Sequence, residues 1–322
     1  MIDFTVAICT YNGEARLPRV LNRLVQQTHI DFSWEVIVVD NNSSDSTAKV
    51  IQQYQSTWSI CPLRSYFEPQ QGLAFARRCA MKHARGELVG FLDDDNLPAP
   101  GWVSAAYRFG RIHPQAGAYG SRLRGKYEIE PPANFQQIAC FLAVVDRGDQ
   151  PFRYEARKWL FPSGAGLVVR KQAWQSLPER PALAGVSGHS LASKGEDVET
   201  LAHIAKAEWE IWYNPQMCIE HEIPRSRLQR EYLLKLLQGV GLSSYQLRKL
   251  RFPRWQHPVV IPLYLLNDLR KLAAYYAKHR HLVAEDTVAA CQLELYRYRL
   301  LSPFYHWSRY PVFQRAIKFW RT

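Results

Sequence analysis

No cysteine framework runs through this sequence. The six cysteines, at positions 9, 61, 79, 140, 218 and 291, are scattered and form neither a CxxC pair nor a Cys/His cluster. That argues against a zinc module or a disulfide scaffold, and the thiols are expected to be reduced and mostly buried. A long apolar run is missing as well. The longest apolar-leaning segment, VVIPLYLLNDL at 259–269, contains Pro262, Asn267 and Asp268. It falls far short of the roughly 20 residues that a membrane-spanning helix needs. The opening MIDFTVAICTYNG has no basic n-region and no long apolar h-region. It reads as a strand rather than a signal peptide, which sets the expectation of a cytoplasmic protein. No internal repeat and no low-complexity tract stands out. No GxGxxG follows the first strand, which argues against a dehydrogenase. TYNGEARLP also lacks the Gly-rich, Lys/Arg-bearing loop that a nucleotidyltransferase would place there, although that class stays as an alternative enzymatic reading.

Acidic residues are scarce in one region only. The net charge is +12; residues 225–322 hold 18 Lys and Arg against 5 Asp and Glu, and residues 1–224 hold 23 against 24. Such asymmetry points the C-terminal third toward an anionic surface, nucleic acid or membrane, with a merely solvated basic surface as the plainer alternative. The length of 322 residues suffices for one large domain, or for one domain with a substantial extension.

Along the chain, FTVAICT at 4–10 is a short β-type run followed by a turn, TYNG. Over 14–28, Leu17, Val20, Leu21, Leu24 and Val25 recur at helical spacing. WEVIVVD at 34–40 is a β-branched run of the kind buried in a parallel sheet, and DNNSSDST after it is rich in helix-capping residues. Residues 47–55 read as helix. The order β–α–β–α is a right-handed, doubly wound start. Residues 73–85 form the next helix, which Gly86 is expected to close as a left-handed cap. ELVGFLD at 87–93 is the next strand. Later, GAGLVVRK at 164–171 reads as turn and strand, 195–209 as a helix with acids in its first turn, and 209–215 as a strand stopped by Pro215. From about 228 onward the spacing is helical, with prolines 253, 258 and 262 marking breaks.

Three polar clusters, TYN, DNNSSD and DDDN, fall at the carboxyl ends of strands, where open α/β sheets bind their ligands. Strand alternation puts Asp93 and Asp95 on one side and Asp94 on the other. Such a pair suits Mg²⁺ or Mn²⁺, with substrate phosphates and waters completing the shell, and so implies a nucleoside diphosphate compound. Asp40, at the end of the second strand, can accept hydrogen bonds from a base or ribose, and the Tyr11 ring can stack on a nucleobase. For each of these the plainer reading is structural: an acidic turn, a helix cap and a turn aromatic.

VAICTYNG, VVDNNSSDST, GLAFARRCA, FLDDDNLPAPGW, GAGLVVRK and GEDVE, in that order, resemble glycosyltransferase family 2, over roughly residues 4–227. HEIPRSRL is similar to bacterial, cyanobacterial-type polysaccharide-biosynthesis transferases. The resemblance implies an α/β GT-A fold over 1–227, with 228–322 as a basic, aromatic-rich helical extension. It implies an inverting, metal-dependent hexosyltransferase-type enzyme that uses a nucleotide-sugar, with UDP the default base carrier. Carried over residue by residue, Thr10, Tyr11 and Asn12 line the base, Asp40 contacts it, and Arg77 lies near base or diphosphate. Asp93 and Asp94 stand on the nucleotide side; Asp93 and Asp95 form the DxD pair, with Asp95 the direct metal ligand. His221 completes the metal shell in some members. Asp197 is the catalytic base, and Glu196 contacts the acceptor or helps to orient. Gly164, Ala165 and Gly166 pass close to the donor sugar, and Arg225 and Arg227 follow on a mobile loop that clamps the diphosphate. Arg78 stands where the family often has Asn, so which of Arg77 and Arg78 faces the nucleotide stays open.

The resemblance further implies a glycan or lipid-linked acceptor, with the segment 121–162, including Arg122, Arg124, Tyr127, Arg153 and Trp159, shaping its site. The closing LLSPFYHWSRYPVFQRAIKFWRT mixes Arg and Lys with Trp, Tyr and Phe. That composition suits an interfacial helix. Residues 228–322 are therefore expected to attach peripherally at the inner face of the plasma membrane, to pack on the core, or to do both. A nucleic-acid-binding module in the basic tail would leave Asp40, the three acids and Glu196–Asp197 without a role, so no nucleic acid partner is expected.

Overall fold

The structure, a computed structural model, describes residues 2–186 and 194–307. In chain order its elements are β1 (Phe4–Thr10), α1 (Leu17–Val25), β2 (Trp34–Asp40), α2 (Thr47–Thr57), β3 (Leu63–Phe67), α3 (Leu73–His83), β4 (Leu88–Asp93), β5 (Asn96–Pro98), α4 (Trp102–Ile112) and β6 (Ala116–Tyr127). Then come β7 (Phe152–Arg153), β8 (Val168–Arg170), α5 (Lys171–Trp174), α6 (Glu196–Lys206), β9 (Glu210–Ile223), α7 (Arg225–Leu228), α8 (Arg230–Arg251), α9 (His257–His279) and α10 (Thr287–Trp307). One mixed sheet runs β3-β2-β1-β4-β8-β6-β9-β5, with β7 added on β9. The first four strands in that order are mutually parallel, while β8 pairs antiparallel to both β4 and β6.

Every residue of β1 and β2 is buried, as a parallel sheet covered on both faces requires. Leu17, Val20, Leu21 and Leu24 of α1 pack with Val6, Ile8 and Trp102 on one face. On the other face Ala76, Ala80 and Met81 of α3 lie against Ala7, Ile37 and Val39. A third cluster joins Phe135, Ile138 and Leu142 to Ile223, to Leu233 and Leu236 of α8, and to Cys291 of α10. The extension is therefore packed on the α/β part through α8 and α10.

Several sequence expectations need correction. β3, β5 and β6 carry too few apolar alternations to stand out by pattern, and β5 is only Asn96–Pro98. Pro215 does not end the last strand. β9 runs on to Ile223, and a register shift between Ser121↔Asn214 and Arg122↔Cys218 absorbs the proline in a bulge. Gly86 is no left-handed cap, since its φ is not among the positive values. It is small because a Cβ there would come within 2.7 Å of the Phe4 carbonyl carbon and the Thr5 nitrogen. Pro258 opens α9, as a first-turn proline can, and Pro262 sits inside the helix instead of breaking it. Of the cysteines only Cys9 and Cys291 are buried; Cys61, Cys79 and Cys218 are half-buried and Cys140 is exposed, all as free thiols. Among the described residues no helix is long and apolar enough to cross a membrane. The interfacial reading of the final stretch falls largely on 308–322, outside the described residues.

Candidate functional site

The parallel order brings strand ends together. Thr10 lies opposite Asp40 across β1 and β2, and Cys9 lies opposite Asp93 across β1 and β4. Neighbouring strands are about 4.8 Å apart, so Asp40 and Asp93 stand roughly 10 Å apart with β1 between them. The loops that leave β1 and β2 are tied to each other. Asn12, at φ +49°, accepts through Oδ1 from the Ser44 N–H at 2.8 Å, and its own N–H donates to Ser43 Oγ at 2.9 Å. The Gly13 N–H donates to Thr47 Oγ1 at 2.8 Å, and Asp40 Oδ1 accepts from the Ser43 N–H at 2.9 Å. Asn41 Nδ2 reaches the carbonyls of Glu68 and Gln70, at 3.1 and 2.7 Å, and fixes the approach to α3. Tyr11 is half-buried beside this row.

The three adjacent acids face three different ways, because a turn at Asp94 and Asp95 interrupts the strand between β4 and β5. Asp93 Oδ1 lies 3.7 Å from Arg77 Nη2 and its side chain is 32% exposed, the most open of the three. Asp94 takes a bidentate pair from Arg16, at 2.8 and 3.0 Å, and a 2.6 Å hydrogen bond from Thr10 Oγ1. Asp95 Oδ2 accepts from Arg227 Nη1 at 2.7 Å and lies 3.4 Å from His221 Nε2; its Oδ1 accepts from Asn96 Nδ2 at 3.0 Å. Relief of repulsion is therefore spread over Arg77, Arg16 and Arg227. Burial, then the neighbouring Asp95, pushes the Asp93 carboxyl up against the pull of Arg77. For Asp95 burial works the same way, but His221 and Arg227 outweigh it and hold the carboxyl well below the usual range.

His221 stands on β9 opposite Asn96 of β5. Burial alone would lower its pKa; the Asp95 carboxylate outweighs that and raises it. Its other nitrogen, Nδ1, is buried without a hydrogen-bond partner among the described residues. Asp93 and Asp95 carry the hard oxygen donors that Mg²⁺ and Mn²⁺ prefer, while it is Nε2 of His221, not the unpartnered Nδ1, that faces Asp95. The described residues contain no ready cluster of three or more His, Cys, Asp or Glu side chains for a metal. Asp93 and Asp95 turn to different arginines, so a cation held here would need substrate oxygens and water for most of its shell.

Arg77 joins this row to α6. Its guanidinium lies 3.7 Å from Glu196 Oε1, donates to the Gly164 carbonyl at 3.2 Å, and sits over the Phe91 ring at 5.5 Å. Arg78 points elsewhere, donating to the Pro178 carbonyl at 2.6 Å, so Arg77 is the one of the pair that faces the acids. Glu196 is buried, and burial together with Asp197 pushes its carboxyl up to about 7, with Arg77 pulling the other way. Asp197 Oδ2 accepts from the Gly164 N–H at 2.9 Å and its Oδ1 from the Val198 N–H at 2.8 Å. A Cβ on Gly164 would come within 2.7 Å of Arg77 Nη1 and 2.9 Å of the Asp197 Cβ, so glycine is what lets both residues converge there. Ala165 is buried next to it. Gly166 adopts φ +63° and its carbonyl accepts from Ser121 Oγ at 2.6 Å.

Not every expected residue joins the cluster. Arg225 and Arg227 lie on one helical turn, α7, and only Arg227 reaches Asp95; Arg225 is exposed and its N–H donates to Glu128. In the segment 121–162, Arg153 pairs with Glu210 and Arg122 with Asp149. Trp159 lies under Arg251. Arg124 and Tyr127 line an open cleft of about 480 Å³ on β6. Two residues carried no sequence signal. Arg16 is joined to Asp94 only by the fold. Lys194, just before the Gly195 that precedes α6, has its pKa lowered by burial and feels the charges of Glu196, Asp197, Arg227 and Asp93.

The mixed sheet with its flanking helices has the GT-A fold of glycosyltransferases. The sequence pattern of Glycosyl transferase family 2 matches residues 5–175, more than half of the chain. The chain belongs to glycosyltransferase family 2. An uncharacterized glycosyltransferase of Nostoc sp. (strain PCC 7120) is 34% identical over 194 residues, 55% of this chain and 53% of that protein. The UDP-Glc:alpha-D-GlcNAc-diphosphoundecaprenol beta-1,3-glucosyltransferase WfaP of Escherichia coli is 25% identical over 156 residues, 44% of this chain and 60% of that protein. The chain thus spans less than two thirds of either relative. Among solved structures, the mannosyltransferase PcManGT from Pyrobaculum calidifontis, in complex with GDP-Man and Mn²⁺, is similar in fold at a TM-score of 0.61 and 19% identity, over 95% of this chain and 88% of that one.

Proposed function

We propose that this chain transfers a sugar, with inversion, from a nucleoside diphosphate sugar to a hydroxyl of a glycan or lipid-linked acceptor in polysaccharide biosynthesis. The observation that carries the reading is the convergence of Asp93, Asp95, Arg77, Arg227 and the Glu196–Asp197 pair at the carboxyl edge of the parallel strands. UDP is the proposed base carrier, in keeping with the UDP-Glc donor that the E. coli relative's name carries. That name also supports a lipid-linked acceptor.

In this reading Thr10, Tyr11, Asn12 and Asp40 receive the nucleoside, with Asp40 accepting from base or ribose. Asp93 and Asp95, with His221 beside them, would hold Mn²⁺ or Mg²⁺; PcManGT carries Mn²⁺. When bound, the cation neutralises charge on the departing diphosphate. Arg77 and Arg227 contribute fixed cations to the same end. Asp197, pinned by two backbone N–H groups, takes the proton of the acceptor hydroxyl as it attacks the anomeric carbon. Glu196 holds Arg77 in position, and Gly164–Gly166 keep the floor beside the sugar narrow. Asp94 supports the nucleotide side through Thr10. We further propose that the chain works in the cytoplasm and attaches through residues 228–322 to the inner face of the plasma membrane.

Calorimetric titration with UDP and GDP, with and without Mn²⁺, tests the reading, followed by a nucleotide-sugar screen for metal-dependent hydrolysis. Metal-dependent nucleotide binding that Asp95→Ala abolishes is the expected result. RNA binding without metal dependence, and no nucleotide binding, would overturn it.

A further inference from the structure

Helix α9 turns one face inward and leaves the other uncovered among the described residues. Inward it sends Ile261 and Asp268, both buried, and Asp268 is held by a bidentate pair with Arg248 of α8. Outward, at the helical period, stand Val259, Pro262, Leu263, Leu266, Leu269 and Tyr276, all exposed. Leu263 is 60% exposed and Leu266 65%, while Trp255, in the turn just before the helix, is 77% exposed. Single exposed apolar side chains are ordinary, but a stripe along one helix ending in a bare tryptophan marks a contact surface.

The charge beside the stripe has one sign. Arg254, Arg270, Lys271 and Lys278 are exposed around it. The only acid between 254 and 281 is Asp268, which faces inward against Arg248. A second copy of the chain docked on this face would set these cations against one another with no carboxylate opposite. An anionic lipid surface meets both features, because the leucines enter the acyl boundary while Arg and Lys reach the headgroups. Trp255 suits headgroup depth. Twenty-three residues of α9 give a rod of roughly 35 Å lying in the interface.

We infer that the outer face of α9, with Trp255 at its end, is the surface by which this chain docks on an anionic bilayer. The inference rests on the peripheral attachment proposed above and names the element that makes it. The α8 and α10 helices join this element to the α/β part, through the third apolar cluster and through Arg251 of α8, which donates to the Arg157 carbonyl.

Flotation of the full chain with vesicles of phosphatidylglycerol and phosphatidylcholine in equal parts, against phosphatidylcholine alone, is the test, with Leu263→Glu/Leu266→Glu and Lys271→Glu/Lys278→Glu as variants. The expected result is binding to the mixed vesicles only, weakened by salt, lost at least tenfold in the leucine variant and severalfold in the lysine variant. Circular dichroism and UDP binding should be unchanged in both. If the wild-type chain binds neither vesicle, the peripheral attachment itself fails. If it binds and the leucine variant binds within twofold of it, attachment stands but α9 is not the docking face. A wild-type dimer in light scattering that the leucine variant splits, with vesicle binding unchanged, would assign the stripe to self-association and overturn the inference.

Discussion

Arg227 Nη1 donates to Asp95 Oδ2 at 2.7 Å, joining the first turn after the last strand to the turn between β4 and β5. The guanidinium stands where a cation shared with a diphosphate would have to share the carboxylate. A cation and a diphosphate bound at this corner as proposed would respond to Arg227 in opposite senses.

Replacing it separates those senses. Arg227→Ala is expected to weaken UDP binding roughly ten- to hundredfold, through loss of a charge-assisted contact worth roughly 1.5–3 kcal/mol. The same variant should strengthen Mn²⁺ binding in the absence of nucleotide. Titration calorimetry reads both, and a parallel loss of metal and nucleotide affinity would show that Arg227 does not compete for Asp95.

Asp94 and Asp95 should fail differently. Asp94→Ala leaves Arg16 and Thr10 without their acceptor and is expected to lower stability by about 1–2 kcal/mol, since the Arg16 side chain is 43% exposed. Its effect on metal affinity should be small beside that of Asp95→Ala. Urea denaturation and Mn²⁺ titration of both variants make the comparison; equal damage to metal binding would mean that the turn does not separate their roles.

The site also sets a pH dependence. Glu196 holds its proton in the folded protein up to about 7, whereas its ordinary value is 4.5, so between those values the folded state binds more protons than the unfolded one. Stability then falls as pH rises through that window. His221, raised above 6.5 by Asp95, acts in the same direction at higher pH, because its pairing is complete below 6.5 and is lost as pH climbs through its folded value. Glu196→Gln should remove the first part, flattening a decline of about 2–3 kcal/mol between pH 4.5 and pH 7 measured by chemical denaturation.

Gly164→Ala forces the Arg77 guanidinium and Asp197 apart. Asp197 is held there by two backbone N–H groups and Arg77 by the Gly164 carbonyl, so the methyl is expected to cost turnover roughly tenfold or more. Stability should fall by about 1–3 kcal/mol as well, because the Arg77 end can move but the Asp197 Cβ, at the start of α6, yields only with its backbone. Steady-state kinetics with thermal melts checks this, and unchanged kcat would show that the convergence at Gly164 is unimportant to the reaction.

What could be read beforehand follows from how local each signal is. WEVIVVD declares a buried parallel strand because β-branched runs suit little else, and β2 spans the residues so read. Asp40, Asp93 and Glu196 were visible for the same reason, each lying at an element boundary that the pattern exposes. The pairing of Arg16 with Asp94, 78 positions apart, depends on β1 and β4 becoming neighbours and has no local trace. Pro215 misled because a proline is compatible with a strand once a bulge takes up its missing donor, and the bulge is set by the partner strand β6. Strand alternation put Asp93 and Asp95 on one face and Asp94 on the other; that pairing does not hold, because the turn at Asp94 and Asp95 sends each acid to a different arginine. The exposed side of α9 was equally silent, since helical spacing tells which residues share a face and not whether another element will cover it.

The knot of hydrogen bonds between the loops after β1 and β2 has a thermodynamic consequence. Asn12, Ser43, Ser44 and Thr47 hold those loops in place with no ligand required, so the nucleoside half of the proposed site is already ordered and little conformational entropy is lost there on binding. The diphosphate half is different, because Arg227 must be shared among Asp95, cation and phosphate. Affinity for a bare nucleoside should then be modest but nearly free of reorganisation, while the enthalpy and the slow steps of binding gather at the arginine end.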